Sequence, residues 1–204
     1  MLYYSIVFGG YVALALWMVQ YYVGEYGLDI RVAALLAACF SLPGGVLRAI
    51  GGMLSDKYGA HSVTWWVMWV SWICLFLLSY PPTDLVIHTD GGGLSLQLGL
   101  GVRWFTVLVM VLGIAWSFGR ASVFKYISED YPDSIGAVTG VVSMVGGLAG
   151  FALPVLFGML LDATGIRSSA FMVLYAWVWL SLIWMYWAEM RRTDVVQRKA
   201  DARG

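Results

Sequence analysis

Six long apolar runs alternate with short polar breaks along this chain of 204 residues. Each run has roughly the 20 predominantly apolar residues that a helix needs to cross the hydrocarbon of a bilayer. The runs are predicted to form transmembrane helices over residues 2–23, 32–54, 63–80, 104–127, 135–161 and 169–188. The pattern therefore predicts an all-α membrane protein, with a six-helix transmembrane domain over residues 1–190 and a polar tail over residues 191–204.

The composition is typical of a membrane protein and excludes nucleic acid as a partner. Hydrophobic residues make up 61% of the chain and charged residues 12%, with a mean hydropathy of +0.79, whereas soluble domains carry about 25% charged residues. The formal net charge is zero at pH 7, so the chain lacks the basic field that attracts nucleic acid. Cys39 and Cys74 lie in apolar runs with no metal-ligand spacing and are predicted core residues. We expect a lipid bilayer as partner, no nucleic acid and no cofactor.

Lysine and arginine predict the orientation, because loops rich in these residues stay in the cytoplasm. With the tail on that side, three basic residues fall outside, namely Arg31, Arg103 and Arg167. Eight fall inside, namely Lys57, Arg120, Lys125, Arg191, Arg192, Arg198, Lys199 and Arg203. Both termini are therefore predicted to be cytoplasmic, in the cell inner membrane. Met1 enters the first run without a basic leader, so this run is not expected to be a cleaved signal peptide.

Two arginines lie within apolar runs, where no run contains Asp or Glu. Arg48 is seven residues before Ser55, roughly 10 Å along a helix, and a guanidinium near the membrane centre costs at least about 2.5 kcal/mol. It either snorkels to the interface or binds an anion, because its planar fork donates two parallel hydrogen bonds to one oxyanion. Arg120 is only five residues before Lys125, and we expect it to snorkel.

The surroundings of Arg48 favour the anion site. Residues 43–45, Pro-Gly-Gly, interrupt the helix just before it and indicate either a cavity with freed backbone groups or a packing kink. Tyr4, Phe8 and Tyr11 recur on one face of the first helix at i, i+4 and i+7. This aromatic face either packs against core or lipid, or sandwiches a flat anion whose edge Arg48 holds.

The fifth run carries small residues at helical spacing. They occur every three or four residues and so share one face: Gly136, Gly140, Ser143, Gly147, Gly150, Pro154 and Gly158, with Gly146 beside them. Such a face lets another helix backbone come close. We predict either plain helix packing without substrate contact or a contact that moves or is lined by ligand.

A charged segment follows the second run. Its residues Gly52, Asp56, Lys57 and Gly59 match the G-x-x-x-D-[RK]-x-G motif of the major facilitator superfamily, which the chain therefore resembles. In that family the motif joins the second and third helices of each six-helix half. The resemblance implies the fold of one such half and a gating role for Asp56, and the alternative is a simple charged turn.

Within the superfamily, residues 41–59 together with the glycine-rich segment 136–151 resemble the nitrate/nitrite porters. The resemblance covers the chain end to end, but only the C-terminal half of a twelve-helix porter. It implies that Arg48 is a substrate-binding arginine, with Tyr4 and Phe8 at aromatic positions beside it. The arginine of the N-terminal half has no counterpart, and Arg120 departs from the family, where we expect a small or uncharged residue.

The resemblance implies a nitrate or nitrite transporter half that binds the anion against an N-terminal six-helix half and works by alternating access. Proton symport and nitrate/nitrite exchange both remain open. The alternatives are a small homodimeric anion carrier, with a second copy as partner, and a nonfunctional truncated porter. An enzyme such as an intramembrane protease is not expected. Hydrolysis by a nucleophilic serine needs a base beside that serine, and no histidine lies within a run.

Overall fold

The computed structural model describes residues 2–81, 83–89 and 92–201. Within these residues, five helices are long and apolar enough to cross a membrane, namely Leu2–Tyr26, Ala60–Leu78, Val102–Asp130, Pro132–Thr164 and Ser169–Ala188. A sixth span consists of two helices, Ile30–Val46 and Arg48–Tyr58, which meet at an angle of 49°. The predicted all-α membrane fold with six spans is confirmed. The spans are numbered below in chain order.

Local signals in the sequence set where the spans begin and end. The first span is an α-helix over Leu2–Tyr4, a π-helix over Ser5–Gly10 and an α-helix over Tyr11–Tyr26. It ends at Gly27, whose φ of 63° is in the left-handed region that glycine adopts without steric cost. Asp29 then caps the second span by accepting a hydrogen bond of 3.0 Å from the backbone amide of Arg31.

The fifth span begins with a short 3₁₀ turn over Pro132–Ser134 and continues as an α-helix over Ile135–Thr164. The helix of the sixth span extends over Ser169–Asp201. The first eleven residues of the predicted polar tail therefore belong to this helix. Residues 202–204 of that tail lie outside the described part of the chain. The domain boundary at residue 190 stays a prediction.

The third break contains a β-hairpin that the sequence analysis did not predict. Strands Thr83–Thr89 and Gly92–Leu98 pair antiparallel, with Thr83 opposite Leu98 and Thr89 opposite Gly92. Consecutive apolar and β-branched residues in the first strand favour extended backbone. The hydrophobic pattern alone indicates only that this segment is too short to cross the membrane.

Aromatic side chains of the first, fourth and sixth spans pack together near one end of the bundle. Tyr21 stacks on Phe105 at 4.7 Å between ring centroids, and Phe171 meets Phe105 edge to face at 5.7 Å. The fifth span is different, since only 28% of its membrane window is buried, against 44–56% in the other four single-helix spans. One long apolar face therefore stays open along the side of the bundle.

The second and fourth spans approach each other through glycines. A Cβ at Gly51 would lie 2.6 Å from the Cα of Phe118, and a Cβ at Gly113 would lie 2.6 Å from the carbonyl oxygen of Phe40. No side chain fits at either position without moving backbone. This close contact places the bend of the second span against the middle of the fourth span.

Ion pairs join breaks that the predicted topology places on the same side of the membrane. Arg167 lies 3.8 Å from Glu25, which joins the fifth break to the first. Lys125, near the end of the fourth span, pairs with Asp56 and joins that end to the second break. Odd-numbered and even-numbered breaks thus lie on opposite faces, as expected when consecutive spans cross the membrane in opposite directions.

Candidate functional site

The bend of the second span lies where the sequence predicts an interruption. Pro43 is in the last turn of the first helix of the pair, and the backbone amide of Leu47 donates to its carbonyl at 2.9 Å. Leu47 leaves regular helix geometry, with a ψ of −1°. Arg48 is the first residue of the next helix, so the 49° bend sets its position in the bundle.

Side chains from two other spans donate hydrogen bonds to carbonyls near the end of this helix. The hydroxyl of Tyr11 donates to the carbonyl of Ser41 at 2.7 Å. The carbonyl of Gly44 accepts from Ser117 Oγ at 2.9 Å and from Arg120 Nη2 at 2.7 Å. Irregular backbone at membrane depth requires such partners, because lipid offers no hydrogen bonds. The protein itself therefore holds this turn in place.

Arg48 lies on the open side of this bend, beside an aromatic cluster. Its guanidinium carbon is 5.5 Å from the ring centroid of Phe124, and the residue is exposed within this chain. Tyr4 meets Phe124 edge to face at 5.1 Å and stacks on Phe8 at 5.2 Å with 12° between the rings. The structure thus brings together the three residues expected to bind substrate, and their role in binding stays a prediction.

The expectation that Arg120 snorkels is wrong. This residue is only 8% exposed, and its guanidinium carbon lies 4.0 Å from the ring centroid of Tyr11. The fourth helix continues to Asp130, three residues beyond the predicted span. Arg120 is therefore about 15 Å from the helix end at 1.5 Å per residue. Its guanidinium donates to the Gly44 carbonyl, which is closer than the polar groups of the membrane interface.

Two positive charges thus share this part of the bundle. Arg48 and Arg120 interact electrostatically with each other and with Tyr4. Among the described residues, every ion pair within 4.0 Å involves other side chains, and none reaches either of these arginines. Because like charges in a low-dielectric interior repel strongly, an anion placed near Arg48 is favoured electrostatically.

The small residues of the fifth span divide between two directions. A Cβ at Gly146 would lie 2.7 Å from Cδ1 of Tyr4, and one at Gly150 would lie 3.3 Å from the Cβ of Val12, so these two glycines pack on the first span. Other glycines of the row have no neighbour within 4 Å in the described structure: Gly136, Gly140, Gly147 and Gly158. These four glycines lie on a surface that this chain leaves open. Their role in helix packing stays a prediction.

The charged motif forms the corner between the second and third spans. Gly59 has a φ of 84°, which side-chain-bearing residues rarely adopt, and this explains the glycine at the end of the motif. Asp56 pairs with Lys125 of the fourth span, and Lys57 lies 5.3 Å above the ring centroid of Tyr58. Gly52 faces open space, with no described atom within 4 Å of a Cβ built on it. The pair between Asp56 and Lys125 was not foreseen, and gating by the motif stays a prediction.

The similarity to known sequences extends over nearly the full length of this chain. The sequence model of the Major Facilitator Superfamily matches residues 1–203. The "Probable nitrate/nitrite antiporter NarK1" of Thermus thermophilus is 40% identical over 91% of this chain and 42% of its own length. The "Nitrite extrusion protein" of Bacillus subtilis (strain 168) is 29% identical over 94% of this chain and 45% of its own length. The chain thus spans less than half the length of these curated relatives.

A solved structure has the same fold. The crystal structure of tetrameric PepTSo2 superimposes with a TM-score of 0.71 over 94% of this chain and 39% of that chain. The sequence identity is 18%, so this likeness concerns the fold alone. The arrangement of the spans in this chain therefore occurs within a longer chain of known structure.

Proposed function

Because this chain belongs to the Major Facilitator Superfamily, we propose that it is the C-terminal six-helix half of a nitrate or nitrite transporter. It is a multi-pass membrane protein with the fold of one half of a major facilitator. Its predicted resemblance to the nitrate/nitrite porters is confirmed by relatives that carry those names. The substrate, the partner half and the mechanism proposed below rest on the geometry of the site.

Arg48 carries the proposal. It is an arginine at membrane depth that no carboxylate in the described structure neutralises, and its side chain is exposed on the open side of the bundle. Nitrate and nitrite are planar oxyanions, so two of their oxygens fit the two parallel donors of a guanidinium. The bound anion offsets the cost of holding the cation in the membrane.

The aromatic cluster gives this anion site its shape. The rings of Tyr4, Phe8 and Phe124 pack against one another and bound the space beside Arg48 on one side. Flat, rigid side chains suit a small planar anion, because they limit the orientations in which it meets the guanidinium. They also exclude water, which strengthens the charge-assisted hydrogen bonds of the site.

An N-terminal six-helix half is the partner that completes the site. The fifth span leaves most of its apolar window uncovered, and its open glycines offer a surface on which another helix backbone can approach closely. The anion then lies between the two halves, and rocking of one half against the other exposes it to each side in turn. The ion pair between Asp56 and Lys125 joins span ends on one face and acts as part of the gate.

The orientation follows from the basic residues. With Arg120 inside the bundle, seven of the eight basic residues that the sequence assigns to the tail side still count towards the orientation, against three on the other side. This bias supports a cytoplasmic location of both termini. We therefore assign the chain to the inner membrane of the cell.

Substitution of Arg48 by lysine tests the anion site. Arg48→Lys keeps the charge but loses the parallel pair of donors, and hydrogen bonds to charged groups contribute about 1.5–3 kcal/mol. We expect the KM for nitrate to rise at least about tenfold in vesicles that hold this chain together with an N-terminal half. Arg31→Lys is the matched control, because Arg31 is exposed at the start of the same span. An unchanged KM in Arg48→Lys would reject the site.

A further inference from the structure

Three polar side chains clamp the last turn before the bend of the second span. Tyr11 donates to the Ser41 carbonyl, and Ser117 and Arg120 both donate to the Gly44 carbonyl. Arg120 is the charged member of this group, and its bond of 2.7 Å is charge-assisted, which makes it roughly twice as strong as a neutral one. The clamp therefore depends most on Arg120.

The fit around this guanidinium is specific to glycine and tyrosine. The Arg120 guanidinium lies 4.0 Å from the ring centroid of Tyr11, a distance typical of a cation–π contact. A Cβ on Gly44 would lie 2.7 Å from two carbons of the Tyr11 ring. The ring thus occupies the space that a side chain at position 44 would need, and it orients Arg120 towards the Gly44 carbonyl.

Arg120 is placed to act on the anion through another residue. Its Nε is fully buried and has no hydrogen-bond partner among the described residues, and the residue as a whole is 8% exposed. Arg48, by contrast, is exposed. A direct contact of Arg120 with the anion is not needed to explain its position.

On the basis of the proposed function, we infer that Arg120 is a positioning residue that fixes the bend of the second span and so presents Arg48 to the anion. Arg48 follows Gly44 by four residues, about one helical turn. A shift of the Gly44 carbonyl therefore changes the direction of the helix that begins at Arg48. The charge-assisted bond from Arg120 holds the bend in one geometry and keeps the guanidinium of Arg48 on the open side.

A double-variant experiment tests this role. Arg120→Met, Ser117→Ala and the combined variant are measured in vesicles that hold the chain with an N-terminal half. We expect Arg120→Met to raise the KM for nitrate about tenfold and Ser117→Ala to raise it less. Because both side chains act through one carbonyl, the effects should not multiply in the combined variant. Arg120→Lys should recover part of the affinity, since an ammonium also donates to a carbonyl.

The control and the opposing outcomes keep this role apart from a contribution to folding. Arg103→Met alters an exposed arginine of the same span and should leave the KM unchanged. A residue that only stabilises the fold would lower the amount of inserted protein with the KM unaltered, and that result would overturn the inference. Effects that multiply fully in the combined variant would also overturn it.

Amide hydrogen exchange without nitrate separates this inference from the proposed function. Arg120→Met should speed the exchange of amides in residues 45–51 relative to the rest of the second span, because the turn loses its strongest partner. Unchanged exchange there contradicts the positioning role, whatever the transport data show. Faster exchange in a complex that never binds nitrate supports the role of Arg120 at the bend and refutes the proposed substrate.

Discussion

Two adjacent glycines in the fifth span should respond in opposite ways to the same substitution. Gly146 faces the rings of Tyr4 and Phe8 of the first span, whereas Gly147 faces open space within this chain. We predict that Gly146→Ala destabilises the six-helix bundle and that Gly147→Ala stabilises it slightly. Because the two positions are neighbours on one helix, each serves as the control for the other.

The size of the difference follows from the contacts. A Cβ at Gly146 would lie 2.7 and 2.8 Å from two carbons of the Tyr4 ring, where the optimal separation is about 3.5–4.0 Å. The ring cannot move freely, because it packs on Phe8 and Phe124 at centroid distances of 5.2 and 5.1 Å. Overpacking of this kind costs about 1–3 kcal/mol. Each alanine also gains about 1 kcal/mol of helix propensity over glycine, and this gain cancels in the comparison.

The assay is reversible unfolding of the purified chain in mixed micelles, with the free energy of unfolding measured for both variants. Gly147→Ala should exceed Gly146→Ala in stability by about 1–3 kcal/mol, the overpacking cost alone. Equal stabilities would refute the packing of the fifth span on the first. A more stable Gly146→Ala protein would mean that the first and fifth spans do not approach as described.

Two other substitutions probe the proposed assembly and gate. Gly147→Leu should leave the six-helix chain folded but block its association with an N-terminal half, measured by copurification, because Gly147 lies on the open face; full copurification contradicts this. Asp56→Asn breaks the ion pair with Lys125. Since this pair is partly exposed, with 30% of the Lys125 and 66% of the Asp56 side chain accessible, the free energy of unfolding should fall by about 1 kcal/mol or less. The maximal transport rate should fall while the KM stays unchanged. Glu129→Gln, which alters a weaker contact of Lys125 at 3.9 Å, should leave the rate unaltered, and an equal loss of rate in both variants would argue against a gating role for Asp56.

The sequence predicts the spans well because their signal is local. Each crossing needs its own run of apolar residues, so the number and order of the spans follow from hydropathy alone. The bend near residue 43 is predicted for the same reason, since Pro43 cannot donate a backbone hydrogen bond and its effect does not depend on neighbouring helices. Gly59 likewise marks a corner that requires a positive φ.

Contacts between spans are the part that the sequence does not supply. The small residues of the fifth span form one periodic row, but adjacent residues on a helix point about 100° apart. Gly146 and Gly147 therefore face different neighbours, and the periodicity does not say which ones. Arg120 was placed wrongly because the Gly44 carbonyl that it binds is 76 positions away in sequence. Its depth in the fourth span, about ten residues before the helix ends at Asp130, was the available signal.

Nitrate flux into liposomes tests the central claim most directly. Purified chain is reconstituted alone, with an N-terminal six-helix half, and with that half in the Arg48→Lys variant. We predict no nitrate accumulation by the chain alone, accumulation by the two halves together, and a loss of nitrate affinity in the variant. Robust uptake by the chain alone would contradict the need for an N-terminal half and favour a homodimeric carrier, and uptake by the two halves that is indifferent to Arg48→Lys would contradict the anion site itself.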